Sequence, residues 1–121
     1  MTDIIIAFMA AIPETILAYY EEADPSAAFP FCIVSGLDVQ DLDFGHQLSL
    51  DVDHWTDEAP GNAAALESQC NALRMALDRK LISKTGAFNG IIYFENQQVI
   101  IDGEQDLIRR RQTFTVRAFC I

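Results

Sequence analysis

The chain has 121 residues, 50% of them hydrophobic and 21% charged, and 18 acidic against 8 basic residues give it a formal net charge of -10. That length builds one hydrophobic core and not two, and the composition is that of a globular chain rather than a disordered one. The acidity excludes general binding to nucleic acid, because phosphates would be repelled over most of the surface.

A single domain spanning 1–121 follows. Thr2 or Asp3 caps a first helix in which Ile4, Ile5, Phe8 and Ile12 recur at near four-residue spacing, until Pro13 removes a donor and ends it. Thr2-Asp3 is no basic leader region, and Pro13-Glu14 cuts the apolar run short, so Ile4–Ile12 reads neither as a secretion signal nor as a bilayer span. Thr15–Tyr20 fits a strand through its Tyr19-Tyr20 pair, while Glu14–Ala23 also fits a second short helix. Glu21–Ser26 is an acidic loop, and Phe29–Val34 is a strand entered through Pro30. Leu37–Phe44, carrying Asp38, Asp41 and Asp43, reads as a long hairpin connection that reaches beyond the sheet.

Gly45–Asp57 is the organising strand. Leu48, Leu50 and Val52 alternate with Gln47, Ser49, Asp51 and Asp53, the period of a strand with one buried and one wet face, and Trp55 closes it. Ala59-Pro60-Gly61 then turns the chain into a helix capped by Asn62, with Leu66, Cys70, Leu73, Leu77 and Leu81 forming one apolar stripe. Arg79, Lys80 and Lys84 at its end suit the helix dipole. Ile91–Phe94 and Val99–Ile101 form one bent strand or a hairpin, and Asp102-Gly103 turns into a last strand, Leu107–Ile121. There Phe114, Val116, Ala118 and Cys120 alternate with Thr113, Thr115 and Arg117. The expected fold is α/β (α+β): a mainly antiparallel sheet with two main helices packed on one face.

Chemistry is sparsely signalled. Cys32, Cys70 and Cys120 are odd in number, lack C-x-x-C spacing and sit among apolar neighbours, which suits buried thiols in a reducing compartment. His46 and His54 lie on one side of one strand but roughly 26 Å apart, too far to share a metal. Asp51 and Asp53 share the other side. A carboxylate pair can act as acid and base, but no nucleophile or phosphate cradle accompanies it, so a solvated or salt-bridged face is expected. No catalytic, cofactor or metal residue emerges. Arg109-Arg110-Arg111 is the only basic cluster, and Arg111 and Arg117 would complement Asp51 and Asp53 if their strands were neighbours or met across subunits. Phe119 and Ile121 end the last strand on its polar side, where a partner surface would use them. Phe29, Phe31 and Trp55 are anchors either of the core or of an interface.

The order of these features resembles the tail terminator, or tail completion, proteins of long-tailed bacteriophages. The features are a short first helix, the F-P-F-C-I-V strand Phe29–Val34, a strand ending in Asp51, Asp53 and Trp55, an alanine-rich helix, and the arginine-led strand Arg109–Phe119. The resemblance implies an α/β sandwich without catalytic residues or cofactor. It also implies a ring, typically of six copies, that caps the tail tube, stops its polymerisation and presents a surface to the head–tail connector. Its place would be the tail or neck of the virion, after assembly in the host cytoplasm, with no membrane contact. Together with charge, it points to Asp41, Asp43, Phe44, Arg109, Arg110, Arg111 and Phe119 as contact residues. An acidic lumen would let DNA slide through. Two other readings stay open: a small monomeric or dimeric ligand-binding or regulatory module, with a cavity lined by Tyr19, Tyr20 or Tyr93, and an enzyme that uses the Asp51/Asp53 pair.

Overall fold

The computed structural model describes residues 2–42, 45–101 and 107–120. In chain order the elements are α1 (Thr2–Ala11), β1 (Ala18–Tyr20), β2 (Phe31–Leu42), β3 (Gly45–Asp57), α2 (Asn62–Leu77), β4 (Leu81–Lys84), β5 (Phe88–Val99) and β6 (Leu107–Cys120). The six strands form one sheet in the order β1-β2-β3-β6-β5-β4, so the fold is α+β and mostly sheet. β1 runs parallel to β2, and every other neighbouring pair is antiparallel, which makes the sheet mixed.

The central pair is β3 with β6, in unbroken register from Gly45 opposite Phe119 to Asp57 opposite Leu107. Alternation does what it should here. Leu48, Leu50, Val52, Phe114, Val116 and Ala118 are buried and join one apolar cluster with Ile4 and Phe8 of α1 and Leu73 and Leu77 of α2. The Phe8 ring meets Phe114 edge-on at 5.9 Å, and the Gln112 side chain reaches the Cys70 carbonyl of α2. Both contacts use even-numbered side chains of β6. Gly45 is required by sterics, because a Cβ there would run into the Ala118 carbonyl.

Several expectations change. Leu37–Leu42 is not a loop beyond the sheet; it continues β2, with Asp38, Val39, Gln40 and Asp41 paired to Ser49, Leu48, Gln47 and His46. A register shift between Gly36 and Asp38 realigns the strand, and backbone pairing along β3 overrides the low strand propensity of aspartate. Asp43 and Phe44 lie outside the described residues. Thr15–Tyr20 contributes a three-residue strand rather than a helix.

Asn62 is the first helical residue, not the cap. Gly61 takes the cap position with φ 87°, a conformation glycine adopts without Cβ strain. The Asn62 amide instead donates back to the Asp57 side chain. Leu66, Cys70, Leu73 and Leu77 are the buried stripe, but Leu81 has left it: Asp78 turns extended, the helix ends, and Leu81 stands 76% exposed in β4. Between the bent strand and the hairpin, the bent strand is found, since β5 runs unbroken with a register shift between Phe94 and Asn96. Ile100 and Ile101 lie beyond its end, and Asp102-Gly103 and Ile121 fall outside the described residues.

Phe114→Ala is expected to cost about 3–5 kcal/mol, because it opens a cavity beside Phe8 and Phe94. Leu81→Ala should stay within about 0.5 kcal/mol, as an exposed substitution does. Urea unfolding of the two variants measures both.

Candidate functional site

Register places the polar residues of β3 and β6 opposite one another: Trp55 with Arg109, Asp53 with Arg111, Asp51 with Thr113 and Gln47 with Arg117. The expected complementarity is therefore realised inside one chain for Arg111, whereas Arg117 stands opposite Gln47 and Arg109 is the second arginine beside Asp53. Arg111 donates from Nε to Asp53 Oδ1 at 2.8 Å and from Nη2 to Oδ2 at 3.3 Å, and its Nε lies 3.4 Å from Asp51. Arg109 Nη2 donates to Asp53 Oδ2 at 3.2 Å while its guanidinium lies 4.3 Å above the Trp55 ring. Thr113 donates its hydroxyl to Asp51 at 2.7 Å. The bond to Asp53 pushes the Arg111 pKa up and keeps that group charged. Asp51 and Asp53 are only 6% and 8% exposed, so this is a buried ion-pair zipper and not the wet face that alternation alone suggested. Two long guanidinium side chains lie over the carboxylates and shield them.

Beyond Trp55 the same face continues as aromatics. Phe29 stacks on Phe31 at 5.5 Å, and Phe31 meets Tyr19 edge-on at 6.2 Å. None of these rings enters the core, and Phe29 remains exposed. The indole nitrogen of Trp55 is buried without an acceptor among the described residues.

The three consecutive arginines do not form one patch. Arg109 and Arg111 share the zipper, while Arg110 points to the opposite side and donates from Nε to Glu67 of α2 at 2.6 Å. Asp41 is exposed and accepts from His46 Nδ1 at 2.8 Å. Phe119 is 41% exposed near the same end of the sheet, since β3 begins opposite it.

His54 lies within β3. It is fully buried and joins a directed chain of hydrogen bonds. Gln112 Oε1 can only accept, so His54 Nε2 carries the proton and donates at 2.8 Å, and Nδ1 accepts from Gln69 at 3.0 Å. Gln112 donates in turn to the Cys70 carbonyl and to Gln97, and Gln97 donates to Glu67. This network ties α2 to the sheet. One signal for it stood in the sequence: Gln112 occupies the apolar side of an otherwise alternating strand. Burial lowers the His54 pKa, against opposing effects from its bond to Gln112 and from Asp53 and Glu67. Cys32 and Cys70 are buried free thiols, both pushed up to about 12 chiefly by desolvation, so neither is a nucleophile near neutrality.

Among the described residues no group of three or more His, Cys, Asp or Glu gathers to hold a metal ion, and no helix is long and apolar enough to cross a membrane. Tyr20 borders an apolar groove of about 370 Å³ with Thr2, Ile5, Ile6 and Met9. Tyr93 borders a separate, polar hollow of about 520 Å³ with Gln47, Phe94, Glu95, Thr115 and Arg117.

This arrangement has a structural counterpart. A chain of the solved structure described as "Virion of native gene transfer agent (GTA) particle" shares the fold. It superposes with a TM-score of 0.63 at 15% identity, over 93% of this chain and 84% of that one. No family model and no curated protein matches the sequence.

Asp53→Ala removes the carboxylate that Arg109 and Arg111 share and is expected to cost about 2–3 kcal/mol, below the full penalty for a deeply buried pair because Arg111 is partly solvated and still lies 3.4 Å from Asp51. Asp41→Ala should leave the urea midpoint unchanged. The lowered pKa of His54 means the unfolded chain takes up its proton first. The neutral ring's contribution is therefore complete above about pH 6.5 and shrinks as pH falls toward the folded value, by at most about 1.4 kcal/mol per pH unit. Urea midpoints taken from pH 8 to pH 5 should show that loss, and His46→Gln should retain it.

Proposed function

We propose that the chain is a virion structural protein of the tail-terminator type, acting as a ring of copies that caps a tail tube. The observation that carries this reading is the likeness of nearly the whole chain to a chain of a virion, in fold though not in sequence. The motif order of the tail terminator family, from Phe29–Val34 to Arg109–Phe119, points the same way and supplies the specific role. In this reading both helices pack on one face of the mainly antiparallel sheet, and the opposite face, with its ion-pair zipper and aromatics, is left for protein contacts.

The mechanism is geometric. A heterologous contact between copies closes when its rotation fits, and a closed ring on the growing end of a tube offers no further addition site. The partners are then other copies of the chain, the tube protein, and a connector protein on the head side. Asp41 and Phe119, near one end of the sheet, form the surface we assign to the tube or connector; the family resemblance adds Asp43 and Phe44, which lie outside the described residues. Arg109, Arg110 and Arg111 hold β6 rigid behind it through Asp53 and Glu67. A net charge of -10 suits a ring through which DNA must slide without being gripped.

Light scattering in low salt is expected to give a discrete mass near about six times the 13.5 kDa chain, loosening as salt rises. The decisive assay adds the chain to polymerising tube protein and measures tube lengths by electron microscopy. Shorter tubes of uniform end morphology support capping, and an unchanged length distribution overturns it.

A further inference from the structure

Among the described residues the sheet ends in β1 on one side and β4 on the other; α1 lies beside both, with Asp3 bound to Lys84 of β4 and Thr2, Ile5, Ile6 and Met9 bordering Tyr20 of β1, and the residues that flank the two edge strands are opposite in charge. β1 passes directly into Glu21 and Glu22, both exposed. β4 is entered from Arg79 and Lys80, also exposed and without an ion-pair partner among the described residues. Most other basic residues are already engaged: Lys84 with Asp3, Arg109 and Arg111 with Asp53, Arg110 with Glu67, and Arg74 over the Phe94 ring. The unspent positive charge on a strand edge therefore concentrates beside β4.

A second observation marks the same two corners. Among the described residues, Glu21 and Arg79 are the non-glycine residues with positive φ, at 66° and 63°. That region disfavours a side chain with a Cβ and is met where elements end: Arg79 follows the C-cap Asp78 of α2, and Glu21 follows β1. In both places a long charged side chain stands where glycine would relieve the strain. The two corners lie at different levels of the sheet. The Glu21 N–H donates to the Val34 carbonyl, and Val34 leads through Val52 to Gln112 in the sheet register. The Arg79 N–H donates to the Ile92 carbonyl, and Ile92 lies opposite Val116. Gln112 and Val116 are four residues apart, which sets the two corners roughly 13 Å apart along the strand direction.

We infer that these two edges are the two halves of one head-to-tail contact, in which the β4 edge of one copy, with Arg79 and Lys80, meets the β1 edge of the next, with Glu21 and Glu22. The contact is heterologous, so it propagates in one direction and can close. Short charged edges also guard against indiscriminate strand pairing. Here the guard is specific, because like edges repel and only unlike edges attract. This inference rests on the ring reading and names its lateral interface; the end-of-sheet residues Asp41 and Phe119 are not part of it.

The test uses two charge-reversed variants, R79E/K80E and E21K/E22K, each checked for folding by circular dichroism, with mass measured by light scattering in low salt. Each variant alone presents two edges of like sign and should associate at least about tenfold more weakly than the parent chain. Mixed in equal amounts, they present unlike edges at every contact, and the parent oligomer should return as an alternating assembly. Either variant assembling like the parent, a mixture no larger than its components, or a parent chain that stays monomeric at millimolar concentration overturns the edge contact. The tube-length assay separates this from the capping role. A chain without edge pairing that still shortens tubes removes only this inference, and an edge-paired oligomer that leaves tubes unchanged removes only the capping reading.

Discussion

The pairing of β3 with β6 is the constraint on which the rest of the molecule depends. It runs without a bulge along the whole of β3, and it carries a different glue on each side. On one side the guanidinium groups of Arg109 and Arg111 close over Asp53 and Asp51. On the other, Leu48, Leu50 and Val52 meet Phe114 and Val116 in the core, and His54 with Gln112 anchors α2. A slip of one residue would set Leu48 against Arg117 on one face and Asp51 against Phe114 on the other, so the register is strongly specified. The neighbouring pairs are less regular. β2 and β5 each take a register shift, after Gly36 and after Phe94, and both shifts fall where the outer strand leaves the apolar part of the sheet.

The two sides of this pair divide the labour. Apolar burial is non-directional and supplies most of the stabilisation. The buried polar groups add direction: a His54 ring with a fixed tautomer accepts only one placement of Gln69, and so one placement of α2 along the sheet. The zipper does the same for β6 relative to β3. A sheet held this firmly behaves as a rigid body. Under the reading proposed above, contacts between copies are made without folding on arrival, and less ordering entropy is lost on association.

Conservation of fold at 15% identity fits this division. What a sheet of this kind asks of its residues is mostly alternation, volume and a few matched charges, and many sequences meet those demands. Under the proposed reading, function lies in where surfaces face rather than in a catalytic constellation, and so it leaves weak marks on the chain. The oppositely charged edges became visible only once β1 and β4, far apart in sequence and written as ambiguous or helical segments, were seen as the two borders of one sheet.

The sequence by itself determined the periodic elements: the Leu48–Val52 and Phe114–Ala118 alternations, the Leu66–Leu77 stripe, the helix ended by Pro13, and the opposite charges of Asp53 and Arg111. These are local signals, written in side-chain spacing. Tertiary structure decided what spacing leaves open. It made Leu37–Leu42 a strand, because β3 offered it a backbone partner that no local propensity reveals. It moved Leu81 out of the helical stripe and onto a sheet edge. It buried Asp51, Asp53 and His54, since burial depends on which distant side chains arrive above a residue. The candidate contact residues were only partly legible for the same reason: Arg109, Arg110 and Arg111 read as one basic cluster in sequence, but strand alternation sends them to opposite faces and pairs each with a carboxylate from another element.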